Sequence, residues 1–301
     1  MSEHAPKTGH NDGGPKDFDP IPLPASLRHL YAHSTDYAGW APPSANTLEV
    51  ALANFRQYSQ SESPAHWILR NFTLTYAHLE SLDPSTLHGL PLSVIVADAD
   101  TDHSVAQLNR LVDDPQFRGI HLAAIEMRAA SMEEIRRTLD HVPQGATPLF
   151  EVPLDPHIIS EVAIESKPFG IKARTEGTQN TSAEALAAFL SWQGQKKVTS
   201  GIHFPFTGIN PISGRHDYGN VNVSLAAVAA YTGAEAQHVM EILLNEDPAA
   251  FVFGDQEIRV GESDVLTLKH IIAARNESLQ SIGTCNALRI LQELNGVYTE
   301  R

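Results

Sequence analysis

Residues 169–204 read FGIKARTEGTQNTSAEALAAFLSWQGQKKVTSGIHF. In the first six, Phe169, Ile171 and Ala173 fall on one face of an extended chain and Gly170, Lys172 and Arg174 on the other. Thr181-Ser182-Ala183-Glu184 then supplies a hydroxyl cap with an acid in the first turn, and Ser182–Gln193 continues as a helix. Lys197–Phe204 is extended again, with Val198, Ser200, Ile202 and Phe204 on one side and Lys197, Thr199, Gly201 and His203 on the other. Two strands joined by a crossover helix pair in parallel, and the helix covers one face of the pair.

The same unit recurs in both directions. Further strands are expected at Trp67–Tyr76, Leu92–Asp98, Gly119–Arg128, Thr147–Leu154, Ala250–Gly254 and Ser281–Cys285. Helices are expected between them at Ser104–Val112, Met132–His141, Pro156–Glu165, Val221–Leu244 and Asp264–Asn276, with a last one at Ala287–Asn295. The first crossover, around Leu79–Leu87, is short. Alternation of this kind predicts an α/β protein, a closed (β/α)8 TIM barrel. An open doubly wound sheet is the alternative, but no Gly-x-Gly-x-x-Gly follows the first strand. Residues 1–24, polar and rich in Pro and Gly, read as a flexible, disordered leader. Residues 25–301 read as one barrel domain that includes an N-terminal helical segment, Asn46–Tyr58, over one end.

Composition narrows the function classes. The chain has 301 residues with 36 acidic and 21 basic side chains, so its net charge of −15 argues against a nucleic-acid partner, which needs a basic face. A small anionic substrate stays compatible, because a few basic groups can be concentrated in one pocket. The single cysteine, Cys285, precludes an intrachain disulfide. No apolar run approaches the roughly 20 residues that span a bilayer, and Met1–Asp19 has no apolar signal core, so a cytoplasmic protein without membrane contact is expected. No motif requires a cofactor, and the sequence leaves an oligomer open.

Strand parity directs Glu126, Arg128, Glu151, Lys172, Arg174, Lys197, Thr199 and His203 toward the barrel axis, with Asp98 and Asp100 at the end of the second strand. An unpaired charge in a dry core costs several kcal/mol. These groups are therefore expected at the wet C-terminal mouth, where barrels of this class keep their sites. An internal salt-bridge network without a ligand is the plainer alternative.

Three chemistries fit such a set. A strand lysine could form a Schiff base with a carbonyl compound; this needs a partly neutral amine, which a neighbouring cation favours, and Lys172 has Arg174 two residues on. Acids and a histidine (Asp98, Asp100, Glu126, Glu151, His203) could hold a divalent metal, but no tight spacing marks a site and no metal ligand is assigned. Asp98–His103 lacks the central glycine and closing glutamate of a calcium loop and reads as a helix cap. A barrel that binds an anion or a partner without turnover is the third reading. Lys172, Lys197, Glu151 and His203 are the catalytic candidates, the lysines as Schiff-base amine or general base and the other two as proton carriers. Arg174 suits an anionic group through its planar fork. Cys285 sits just before a helix, where the dipole favours a thiolate, although a small buried side chain is the simpler role. Asn222, near a helix start, could orient substrate or cap the helix. The long loop Thr207–Gly219 reads as a lid.

Lys197-Val198-Thr199-Ser200-Gly201 resembles the sixth-strand Schiff-base lysine segment of class I aldolases of the deoxyribose-phosphate aldolase type. A broader resemblance, to an uncharacterised bacterial (β/α)8-barrel family, runs through Asp36-Tyr37-Ala38-Gly39-Trp40-Ala41-Pro42-Pro43, Lys172–Gly177, Lys197–Pro205, Tyr218–Val223 and Gly283-Thr284-Cys285. The chain departs from that pattern at Glu176, where the family has glycine, and at Phe204 and Tyr218, where it has histidine. The resemblance implies that Asp36, Lys172, Arg174, Lys197, His203, Asn222 and Cys285 share one site, and that the Asp36 segment packs against the barrel. It brings no reaction with it. An enzyme of lyase or isomerase type acting on a small anionic carbonyl or hydroxyl compound is expected. A metal-dependent hydrolase or lyase, and a binding barrel, are the alternatives.

Overall fold

The structure is a computed structural model that describes residues 22–97, 101–162, 168–176, 181–211, 213–261 and 264–299. Eight parallel strands close into a barrel: β1 (Thr35–Tyr37), β2 (Leu69–Thr75), β3 (Pro91–Val96), β4 (His121–Arg128), β5 (Thr147–Glu151), β6 (Gly170–Arg174), β7 (Gln195–Thr199) and β8 (Leu279–Thr284), with β1 pairing to both β2 and β8. The chain is thus a (β/α)8 barrel. No helix among the described residues is long and apolar enough to cross a membrane.

Strand parity holds through the centre of the barrel. Val94, Ile125, Phe150, Ile171, Ala173 and Val198 face outward and are fully buried under the helices. The opposite faces of the same strands carry Ser93, Glu126, Lys172 and Lys197 inward. The helix caps read from sequence are present: Ser131 accepts from Glu134 N ahead of α5 (Met132–Leu139), and Ser182 accepts from Ala185 N ahead of α7 (Ala183–Ser191).

Four expectations are corrected. Ala250–Gly254 is not a barrel strand: Phe251–Phe253 is the first of three antiparallel strands, followed by Glu257–Val260 and Asp264–Thr267, that form a separate sheet. The strand that completes the barrel is β1. It is pinned from outside by Tyr37, whose ring lies 6.2 Å from Phe55 and 5.8 Å from Tyr58, both on α2 (Leu48–Tyr58). Second, α2 is the crossover between β1 and β2, not a segment laid over one end; α1 (Ala25–Tyr31) precedes the barrel. Third, the helix expected over Val221–Leu244 is two helices, α8 (Asn220–Tyr231) and α9 (Ala236–Leu244). It breaks at Gly233, whose φ of 93° is the left-handed conformation that ends helices. Helix α10 (Leu268–Glu277) starts later than expected, because Asp264–Thr267 is the last strand of the small sheet.

One inward glycine sets the local spacing. A Cβ on Gly283 would lie 2.5 Å from Thr199 Oγ1 and 3.6 Å from Lys197 Cε. Gly283→Ala should therefore destabilise the protein by about 1–3 kcal/mol. In a Thr199→Ala background the cost should fall by at least half. Urea unfolding of the four proteins of this cycle checks it, and an unchanged cost in the double variant would locate the clash elsewhere.

Candidate active site at the barrel mouth

The barrel interior is built around Glu126 on β4, which is 2% exposed. Its Oε1 accepts from Lys197 Nζ at 2.6 Å and from Ser93 Oγ at 2.7 Å, and its Oε2 faces Lys172 Nζ at 3.0 Å. Lys197 Nζ also donates to Asp36 Oδ2 on β1 at 2.6 Å, and Ser281 Oγ on β8 donates to the same oxygen at 2.7 Å. Lys172 Nζ lies 2.9 Å from Glu151 Oε2 on β5, and Glu151 Oε1 is 3.5 Å from Arg174 Nε and 3.6 Å from Arg128 Nε. The barrel register explains the contact: Glu151, Lys172 and Lys197 are successive cross-strand partners on β5, β6 and β7.

Charges in this chain alternate. Asp36, Glu126 and Glu151 are interleaved with Lys197, Lys172 and Arg174, with the exposed Arg128 as a fourth cation on Glu151, and each of the two most buried cations of the network touches two carboxylates. Burial alone would push the Glu126 carboxyl up; the Lys197 and Lys172 ammoniums outweigh it and hold the group well below the usual carboxylate range. Burial pulls Lys197 down, but Asp36 and Glu126 reverse this and keep it a firm cation. Burial raises Glu151, and Lys172 and Arg174 bring it net below its ordinary value.

Above this layer is a cavity of about 490 Å³. Glu126, Lys172 and Lys197 line it, as do Arg174 and Thr199 at the ends of β6 and β7. Trp40, Pro42 and Pro43, after β1, line it too; Trp40 is held by its indole N–H, which donates to Thr73 O at 2.6 Å. His203, Cys285, Arg215 and Arg289 complete the wall. Ser200 and Gly201 both adopt left-handed backbone, with φ of 65° and 67°. They end β7 at Thr199, so His203 reaches the cavity from a loop and not from the strand on which it was expected. Burial holds its imidazole below the ordinary histidine value; Asp217 opposes this, and Arg289 and Arg215 reinforce it. A neutral imidazole is the form that accepts a proton.

The structure brings Lys172, Arg174, Lys197, Thr199, His203 and Cys285 to one cavity, with Asp36 and Glu151 directly behind the lysines. Asn222 is elsewhere. Its Oδ1 accepts from Thr207 N at 3.0 Å and its Nδ2 donates to Ile242 O and Asn245 O, both at 2.8 Å. It fastens the foot of the Thr207–Gly219 loop, which folds as a short hairpin of Gly208–Ile209 against His216–Asp217 and presents Asn210, Ser213 and Arg215 to the cavity. Lys197 is on the seventh strand and not the sixth, because the short β1 precedes the first strand expected from sequence; the sixth-strand lysine is Lys172. Lys196, which precedes Lys197, faces the helices and donates to Trp192 O and Gly194 O; burial brings its amine down to about 7.

Asp98 and Asp100, weighed as metal ligands, lie outside the described residues. Among the described residues no group of three or more His, Cys, Asp or Glu side chains is arranged to hold a metal ion. Glu126, which the sequence offers only as a possible metal ligand, is instead the anion both inward lysines share, and Arg215 and Arg289 carry no signal in strand parity. Arg289 lies in the first turn of α11 (Ala287–Thr299), with its guanidinium 4.6 Å from the centre of the Phe204 ring.

Fold and site together define a (β/α)8 barrel with a lysine–carboxylate network beneath an arginine-lined mouth. Comparison of the chain with protein-family models, with curated proteins and with solved structures finds no match.

Proposed function

We propose that the protein is an enzyme of lyase or isomerase type that binds a small anionic carbonyl compound in the mouth and activates it as an imine on Lys172. The observation that carries this reading is the setting of Lys172. It is a buried amine at the floor of a cavity, with a carboxylate on each side and Arg174 two residues nearer the mouth.

Glu151 Oε2, at 2.9 Å, is placed to take the proton that the ammonium must lose. The amine then adds to the carbonyl carbon. The resulting carbinolamine loses water when the proton returns to its hydroxyl, leaving an iminium that draws electrons from an adjacent C–H or C–C bond. Lys197 stays charged throughout and keeps Glu126 an anion. Arg174 receives the anionic group, and His203 accepts the proton of a substrate hydroxyl. Lys197 is less suited as nucleophile, since both its carboxylate partners, Asp36 and Glu126, are as buried as it is, whereas Glu151 beside Lys172 reaches the wetter edge of the network and can carry a proton away.

The test is incubation with a panel of small oxo-acids and sugar phosphates in the presence of borohydride, read by intact mass. A reduced adduct that disappears in Lys172→Ala is the expected result. An adduct that persists in Lys172→Ala and disappears in Lys197→Ala would move the imine to the other lysine. Metal bound in stoichiometric amount with turnover and no adduct would favour hydrolase or lyase chemistry at acids and His203. Neither adduct, metal nor turnover across the panel would leave a ligand-binding barrel.

A further inference from the structure

A second cavity, of about 320 Å³, lies at the opposite end of the barrel, where the chain enters β1, β2 and β8. Arg70, the second residue of β2, reaches across β1 to β8: its Nη1 donates to Gln280 O and its Nη2 to Gln280 Oε1, both at 2.7 Å. Arg275, in the last turn of α10, donates to Leu279 O and, from Nη2, to the same Gln280 O at 2.8 Å. Two guanidiniums therefore converge on one backbone oxygen. Neither makes an ion pair with a carboxylate among the described residues, and Arg275 Nε is buried without a hydrogen-bond partner. Burial and the like charge of Arg70 together bring the Arg275 guanidinium down to about 10, against the weaker opposite pull of the Asp36 carboxylate.

His29 and His33 also line the cavity. His33 holds a left-handed backbone, with φ of 47°, and its Nδ1–H donates to Leu69 O at 3.1 Å, which leaves Nε2 as its second polar atom. Although the chain carries 36 acidic side chains, none lines this cavity among the described residues.

We propose that this cavity is a binding site for a phosphate group, free or as a monoester, held by Arg70 and Arg275 with His29 and His33 beside it. Two fixed positive charges that touch no carboxylate among the described residues match a dianion, and guanidinium forks suit tetrahedral oxyanions. The ligand would tie β2, β8 and α10 together beneath β1, the strand that carries Asp36. The proposal does not depend on chemistry at the mouth.

The full-length protein is heated in phosphate-free buffer with inorganic phosphate added, and malonate serves as a carboxylate control. At ten times Kd, phosphate should raise Tm by roughly 2–4 °C. The rise should persist in Arg174→Met, which disables the mouth, and vanish in Arg70→Met. A rise lost in Arg174→Met and kept in Arg70→Met would place the anion at the mouth and overturn the proposal. So would a response to malonate but not phosphate, or to neither. If Arg70→Met does not fold, imidazole NMR of the wild type decides. Phosphate should move the His29 and His33 resonances more than that of His203, and stationary His29 and His33 signals would refute the site.

Discussion

Glu126→Gln should lower the free energy of unfolding by about 3–5 kcal/mol, the usual consequence of removing one member of a buried ionic cluster. Glu126 is, among the described residues, the carboxylate that touches both inward lysines, at 2.6 Å and 3.0 Å, and it also accepts from Ser93. Glutamine keeps the shape but carries no charge, and it turns an N–H donor toward an ammonium. Lys197 would retain Asp36 and Lys172 would retain Glu151, so each lysine keeps one carboxylate, and the interior gains one net positive charge. A drop in Tm of about 6–20 °C is the corresponding thermal shift.

The same variant predicts a change in pH dependence. The folded-state carboxyl of Glu126 titrates below its unfolded value, so its contribution is fully present above about pH 4.3 and is lost as pH falls through the lower, folded value. The Lys197 ammonium titrates above its unfolded value, so its contribution is fully present below about pH 10.4 and is lost as pH rises beyond that. Wild-type stability should therefore fall more steeply between pH 5 and pH 2 than that of Glu126→Gln, with the two curves converging in acid. Urea unfolding across this range measures it, and parallel curves would mean that Glu126 is not the paired anion described above.

Side-chain direction was legible where strands are long enough to show it. On β6, Ile171 and Ala173 mark the outward face, so Lys172 and Arg174 could be assigned inward from the pattern alone; Val198 does the same for Lys197 and Thr199 on β7. The pattern failed where backbone geometry interrupts it. Ser200 and Gly201 turn left-handed, so counting alternate residues past Thr199 could not place His203 on the strand, although it still reaches the cavity. It failed also where an element is too short. Thr35-Asp36-Tyr37 offers a single inward residue, and that residue is an acid, whereas the apolar run near Phe251 looks like a core strand and belongs to the small sheet. Asp36 entered the site only through family resemblance, because its partner Lys197 is 161 positions away. Asn222 shows the converse: a polar residue at a helix start can serve a ligand or the backbone, and its three hydrogen bonds all go to backbone groups.

The two lysines should fail in opposite ways when replaced by methionine. In Lys172→Met, Glu126 keeps Lys197 and Ser93, and Glu151 keeps Arg174 and Arg128, so no carboxylate loses every partner. Stability should fall by only about 1–2 kcal/mol. The reactive amine is gone, however, so the borohydride adduct should be absent and turnover of any compound the wild type processes should drop by about 10⁴-fold or more. In Lys197→Met, Asp36 loses the one cation it is paired with among the described residues and retains the Ser281 hydroxyl, while its other oxygen, Oδ1, is already buried without a partner. An uncompensated carboxylate at that depth should cost about 3–5 kcal/mol. Conversion of Asp36 to asparagine in the Lys197→Met background removes the stranded charge and should recover part of that loss. Where the Lys197→Met protein remains folded, Lys172 should still form an adduct, in lower yield because Glu126 and Glu151 then both draw on its ammonium. Intact mass and urea unfolding of the same samples measure both properties. If Lys172→Met proves the less stable variant, or Lys197→Met alone loses the adduct, the assignment of Lys172 as nucleophile and Lys197 as its fixed counter-charge is reversed.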